Sequence, residues 1–416
     1  MYINRTCEKA ITDTGKSFPC IVVYGPRQIG KSTTIDYLFG ENFKKVTLDD
    51  IEDRALAEAN PKLFLDSVGW PVIIDEIQKV PLLLDEIKNR IDEQRLLWLK
   101  SGKDRELMYV LTGSSRFELQ QSISDSLAGR CGIVEMASFT RAEKSQSKEF
   151  EFSPELPILT QREAETTQKK TRQDIFREIF QGGMPDVCTG VSERNIYFKS
   201  YVNTYIEKDV RKLINASSEL QFRNFVSIVA LRTAQEVHYE EIASAVGIDV
   251  RTCKKWLSIL ETSGIICFLQ PYMANMSNRV IKCPKLYFMD TGLCAWLCKW
   301  PNAEMLADCA MSGAFFETYV VSELVKNAYA FQKDPRDFLF YYRDIDQKEI
   351  DIVYVKENRI YPIEIKAGIL PEKAAKNFDV LQKYHLEIQP GLVINNTDRI
   401  RPINEHAYYV PVSLLP

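Results

Sequence analysis

Apolar residues fall along this chain in blocks whose spacing changes from region to region. Between Pro19 and about Glu143, short apolar runs alternate with longer amphipathic segments. CIVVYG (20–25), KKVTLDD (44–50), VIIDE (72–76) and LMYVLTGS (107–114) read as strands, and KSTTIDYLFG (31–40) and LLLDEIKNRIDEQ (82–94) as helices. Apolar strands separated by helices predict a parallel sheet covered on both faces.

From Lys144 to about Lys170 the pattern gives way to charge, Ser, Thr and Gln, which reads as a linker. A helical stretch from Gln173 to about Leu220 is broken by GGMP (182–185). Residues 239–264 then read as a first helix, Tyr239 to Val246, ending at Gly247, followed by a turn with Asp249 as N-cap. The second helix carries Val250, Cys253, Trp256, Leu257 and Leu260 on one stripe, with Arg251, Lys254 and Lys255 largely off it. With IICFLQPY (265–272) as a wing strand, this is the layout of a winged helix-turn-helix. The three basic residues can meet DNA phosphates; a module for packing or protein binding is the competing reading.

KLYFMD (285–290) is a further strand, and from Gly313 the composition changes again. A long helix leads into FLFYYRD (338–344), EIDIVYV (349–355) and RIYPIEIKAG (359–368), then a helix from about Glu372 to Leu386 and a strand, GLVINN (391–396). The expected units are 1–143, a linker over 144–172, a helical and winged-helix region over 173–310, and an α/β unit over 311–416.

Composition narrows the picture. With 416 residues, 45% hydrophobic and 26% charged, the chain can build two or three cores without staples. Lys plus Arg is 53 against 57 for Asp plus Glu, a net charge of −4, so any nucleic-acid contact must be local. The ten cysteines form no C-x-x-C and only three histidines accompany them, which argues against structural zinc and for a reducing compartment. The first residues lack an apolar leader core and no run of about 18 apolar residues exists, so the expected location is the cytoplasm, with no membrane partner.

Two places carry chemistry. Gly25-Pro26-Arg27-Gln28-Ile29-Gly30-Lys31-Ser32, continuing into Thr33, follows a strand and opens a helix: a Walker A loop. Glycines let the backbone wrap an anion, Lys31 reaches the β and γ phosphates of ATP, and Ser32 offers Mg²⁺ a hydroxyl. VIIDE is the matching acidic strand. Asp75 would hold Mg²⁺ and Glu76 would orient the attacking water, a pairing that favours hydrolysis over binding alone. Thr112 and Ser114 in LTGSS (111–115) are candidates for contact with the γ phosphate or the water, and Arg130 in SLAGRC for an arginine finger or sensor.

The second place is the hairpin formed by EIDIVYV and RIYPIEIKAG with VKEN (355–358) as its turn, which brings Asp351 beside Glu364. Two carboxylates make an oxygen-rich metal site; Lys366, on the same strand face as Glu364, could act on a metal-bound water, and Glu317 could complete the shell.

Taken in order, GPRQIGKST, VIIDEIQKVP, LTGSSRF, SLAGR, GGMPDV, YVNTYIEKDVRKL and CPKLYFMDTGL resemble prokaryotic AAA-type ATPases fused to a C-terminal domain of unknown function. The resemblance implies an additional-strand P-loop ATPase, a winged-helix segment and a restriction-endonuclease-like C-terminal domain. It gives Gly30, Lys31, Ser32, Asp75 and Glu76 the nucleotide roles. By similarity to PD-(D/E)xK nucleases it gives Asp351, Glu364 and Lys366, with Glu317, the metal roles. The functions implied are an Mg²⁺-dependent ATPase acting on DNA or, alternatively, an ATP-driven switch that binds a protein partner around an inactive nuclease scaffold. A homo-oligomer is compatible with either.

Overall fold

The computed structural model describes residues 2–114, 126–166, 170–206, 219–273, 283–371, 373–384 and 386–416. Ser115 and the end of YVNTYIEKDVRKL lie outside the described residues. Strands β1 (Cys20–Tyr24), β2 (Lys44–Thr47), β3 (Val72–Asp75), β4 (Tyr109–Gly113) and β5 (Cys131–Glu135) form one sheet in the order β2-β3-β4-β1-β5. Every pairing is parallel, as the apolar runs predicted. β4 is inserted between the strand before the phosphate loop and the acidic strand, which is the additional-strand order.

Alternation along β1 sends its side chains into two different cores. Cys20, Val22 and Tyr24 pack with Phe64, Leu84, Ile87 and Trp98. Ile21 and Val23 join a second core that continues through Phe176, Trp256 and Tyr319 to Ile363. The ATPase sheet therefore shares one apolar interior with the rest of the chain. The stretch 144–172, expected as a linker, contributes to this packing. It contains the helix Leu156–Glu165 and buries Phe152 and Leu159, because its brief apolar islands are enough to anchor it.

The two helices expected on either side of Gly247 form, Tyr239–Val246 and Val250–Thr262. Gly247 takes a left-handed φ of 77°, and the Asp249 side chain accepts the Thr252 N–H at 2.9 Å. Cys253, Trp256, Leu257 and Leu260 are buried, whereas Arg251, Lys254 and Lys255 are exposed. The Trp256 ring meets Phe222 and Phe225 edge-on, each at 5.2 Å; truncating such a residue typically costs about 3–5 kcal/mol.

A second sheet joins the middle and the C-terminal region. Its strands are β6 (Gln235–Glu236), β7 (Ile266–Pro271), β8 (Lys285–Phe288), β9 (Leu339–Arg343), β10 (Glu349–Lys356), β11 (Arg359–Ile365), β12 (Glu387–Ile388), β13 (Gly391–Asn395), β14 (Arg401–Asn404) and β15 (Ala407–Pro411). They run β14-β15-β13-β11-β10-β9-β7-β8-β6, with β12 on β11. β7, expected as a wing, pairs antiparallel with β8 and parallel with β9, so it lies inside the sheet. The helix expected from Glu372 to Leu386 is replaced by turns and a 3-10 helix, Phe378–Lys383. Ala374, Phe378 and Leu381 keep the helical spacing and are buried, but Lys373 takes a left-handed φ of 57°, which interrupts an α-helix there.

Candidate active site

The phosphate loop is shaped by backbone constraints. A Cβ at Gly25 would lie 2.0 Å from the Met136 carbonyl oxygen, so only glycine lets the loop pass the end of β5. Gly30 has a left-handed φ of 88° and leads into the helix Lys31–Phe39. Ile29 is fully buried and anchors the loop in the shared core, with Pro26 and Arg27 half-buried and Gln28 and Thr33 exposed. Arg5, which the sequence did not single out, braces the loop from the side. It donates to the Ile29 carbonyl at 2.8 Å and the Ala137 carbonyl at 2.7 Å, and pairs with Glu143 at 3.1 Å.

The Lys31 ammonium donates to the carbonyls of Gly25 (2.9 Å) and Pro26 (2.7 Å) of its own loop. Burial pushes its pKa down to about 8, against the pull of Glu76 and Asp75. The Ser32 hydroxyl donates to Asp75 Oδ2 at 3.0 Å, and Thr112 hydrogen-bonds Asp75 Oδ1. Glu76 adopts a left-handed φ of 58°, a conformation that costs a non-glycine residue about 1 kcal/mol or more and that gathers at functional sites. Ser114 donates to Glu76 Oε2 at 3.2 Å and Gln78 donates to the same oxygen. Thr112 and Ser114, equivalent candidates in the sequence, thus divide the work: one holds Asp75, the other Glu76. Gln78 was missed; its only signal is a polar residue two positions after Glu76, which the 3-10 turn Ile77–Lys79 folds back.

Arg130 is not brought to this site. It directly precedes β5, whose Cys131 pairs with Cys20 at the start of β1, whereas the loop follows Tyr24 at the other end. Five residues of strand put the two edges about 16 Å apart. There the guanidinium grips Asp92 bidentately at 2.7 and 2.8 Å. A finger or sensor role toward the loop of its own chain does not fit this placement.

The loop also touches the middle region. A Cβ at Gly264, just past the helix Val250–Thr262, would lie 2.7 Å from Pro26 Cγ, and Gly264 has a left-handed φ of 69°. Pro26, Ile29, Met136, Gly264, Leu269 and Met289 line a largely apolar cavity between them.

The C-terminal residues assemble differently. Ile352 pairs with Ile363, and the same register brings Asp351 beside Glu364. Glu317 projects from the helix Ser312–Ala330. Lysines stand among these acids. Lys366 Nζ is 2.6 Å from Glu364 Oε1 and 3.4 Å from Asp351 Oδ2. Lys285 of β8 reaches Glu317 Oε1 at 3.0 Å and Asp351 Oδ1 at 3.8 Å, and pairs with Glu349. Burial raises the pKa of Glu317 to about 7 and that of Glu364 to about 8. Among the described residues no three His, Cys, Asp or Glu side chains converge as metal ligands. Glu317, Asp351 and Glu364 were expected to form a metal shell; each instead gives at least one oxygen to an ammonium group, and that arrangement does not fit Mg²⁺.

Residues 17–144 match the family described as AAA domain. Residues 172–304 and 312–415 each match a domain of unknown function, DUF8612 and DUF4143 respectively. Two uncharacterized mycobacterial proteins, from Mycobacterium bovis and Mycobacterium tuberculosis, are each 25% identical over 356 residues, covering 85% of this chain and 71% of theirs. Among solved structures, a Walker-type ATPase of Pyrococcus abyssi overlaps at TM-score 0.40 with 14% identity, covering 71% of this chain and 96% of that one. A RuvB variant of Thermotoga maritima overlaps at TM-score 0.29 with 14% identity, over 63% of this chain and 86% of that one. The chain carries an AAA-type P-loop ATPase domain, and the protein is an ATPase. No helix among the described residues is long and apolar enough to cross a membrane.

Proposed function

We propose that this protein is an Mg²⁺-dependent ATP hydrolase that passes the state of its phosphate loop to a DNA-contacting helix pair, Tyr239–Val246 and Val250–Thr262. The observation that carries the proposal is the contact between Pro26 of the loop and Gly264 beyond the exposed basic helix. The two residues lie too close to admit even a Cβ between them, so a shift of the loop on binding phosphate would be felt at Gly264.

The loop N–H groups and Lys31 hold the phosphates, with the Lys31 ammonium exchanging its two loop carbonyls for phosphate oxygens. Ser32 and Asp75 are hard oxygen donors 3.0 Å apart at the mouth of the loop and would hold Mg²⁺. Bound there, the cation neutralises charge on the β and γ phosphates. Glu76 orients the attacking water, and Ser114 and Gln78 keep its carboxylate directed.

Arg251, Lys254 and Lys255 are exposed on one helix, and a local cationic face suits a chain whose total charge is −4. DNA phosphate is the partner this face fits best. Nuclease chemistry at Asp351, Glu364 and Lys366 is the weaker reading, because Lys285 enters the same cluster. The test is ATP turnover with and without duplex DNA, over a salt series. DNA should stimulate turnover, the effect should weaken steeply with salt, and reversing the three basic residues to Glu should remove it while basal turnover stays. Turnover indifferent to DNA at every salt concentration would reject the DNA partner and favour a protein one. A homo-oligomer in which Arg130 serves a second copy would show as turnover per chain that rises with protein concentration.

A further inference from the structure

We propose that Lys285 is the built-in cation of the C-terminal carboxylate cluster, so that the cluster is an ion-pair latch holding the middle region to the C-terminal sheet and takes no divalent metal while β8 is in place. This inference does not depend on the ATPase site or on DNA binding.

Each acid in the cluster already has an ammonium partner. Asp351 turns its two oxygens to two different ammoniums, Oδ1 to Lys285 at 3.8 Å and Oδ2 to Lys366 at 3.4 Å. Oδ2 also accepts the Ile365 N–H at 2.8 Å. Glu317 Oε1 receives Lys285 at 3.0 Å and the Tyr287 hydroxyl at 2.7 Å. Lys285 and Tyr287 stand two apart on β8, so strand alternation aims both at the same carboxylate. Glu364 gives Oε1 to Lys366 at 2.6 Å, while its other oxygen is buried without a partner.

The lysine comes from outside both the hairpin that supplies Asp351 and Glu364 and the helix that supplies Glu317. β8 belongs to the middle region and pairs with β7, which in turn pairs with β9 of the C-terminal sheet. Lys285 is 3% exposed, so its ammonium has left water and can only be sustained by the acids around it. An Mg²⁺ ion needs oxygens about 2.1 Å away in near-octahedral order. Here Glu317 Oε1 and Asp351 Oδ2 already accept from N–H and O–H donors, and Asp351 Oδ1 faces the Lys285 ammonium. A divalent ion among them would also face two neighbouring ammoniums of like sign. Lys366 alone is compatible with a metal centre of two acids and a lysine; Lys285 is the residue that closes it.

The test is Mn²⁺ binding without nucleotide, followed by the electron paramagnetic resonance of free Mn²⁺, on four full-length chains: wild type, Asp351→Asn, Lys285→Met and the double variant. Wild type and Asp351→Asn should bind equal numbers of Mn²⁺ ions. Lys285→Met should gain one further ion, which the double variant loses. A wild-type ion that disappears in Asp351→Asn would overturn the proposal, and so would a folded Lys285→Met chain that gains none. If Lys285→Met fails to fold, the wild-type and Asp351→Asn pair still decides, since equal binding supports the latch and unequal binding refutes it.

Discussion

Two clusters in this molecule use the same side-chain chemistry, acids beside a lysine at the ends of strands, and they come out opposite in kind. In the nucleotide site the lysine and the acids do not neutralise one another. Lys31 donates to backbone carbonyls, Asp75 accepts from Ser32 and Thr112, and Glu76 accepts from Ser114 and Gln78. All of these partners are uncharged, so a lysine for phosphate and acids for a cation and a water remain in reserve. In the C-terminal cluster Lys285 and Lys366 pair directly with Glu317, Asp351 and Glu364. Charge there is spent inside the protein. The lesson is that a list of acids and a lysine defines chemistry only once the partner of each group is known.

The largest expected effect breaks the first half of the comparison. Lys31→Ala should lower ATP turnover about a thousandfold or more, equivalent to about 4 kcal/mol of transition-state stabilisation, with an unchanged circular-dichroism spectrum. Glu76→Gln should lose turnover by about a hundredfold or more yet still bind a fluorescent ATP analogue, since the amide keeps the shape but not the charge that orients water. A pH series sharpens the role of Lys31. Its folded pKa of about 8 means that the ammonium is present below that pH and lost as pH rises through it. The KM for ATP should therefore climb by about tenfold between pH 7 and pH 9, measured at fixed ionic strength. Gly264→Ala sets a Cβ against Pro26 on a left-handed backbone, and it should weaken the DNA stimulation of turnover several-fold while leaving basal turnover within a factor of about two. The smallest effect belongs to Arg130→Ala. With the side chain bound to Asp92 away from the loop, turnover at low protein concentration should change by less than about twofold.

Much of the first site was legible because its signals are local. The loop from Gly25 to Ser32, the acidic pair Asp75–Glu76 and the polar end of β4 each sit within a few residues, and parallel pairing of β1, β3 and β4 brings them together. The helix pair Tyr239–Val246 and Val250–Thr262 was legible for the same reason, since Asp249 caps and Trp256 buries within one short segment. What escaped depends on distant pairing. Arg5 meets Ile29 and Ala137 across 24 and 132 positions of sequence. Lys285 reads as one more charge at the start of a strand; the packing of the helix Ser312–Ala330 on β8 brings it to Glu317, and the β7–β8 and β7–β9 pairings bring it toward Asp351. Arg130 misled for a related reason: nothing in SLAGRC says which edge of the sheet it will occupy.

The comparison can be settled by counting Mn²⁺ ions per wild-type chain in the presence of a non-hydrolysable ATP analogue. The account predicts one nucleotide-dependent ion, lost in Lys31→Ala and retained in Asp351→Asn. A second ion that persists in Lys31→Ala and vanishes in Asp351→Asn would contradict it, and would make the C-terminal cluster a metal centre after all.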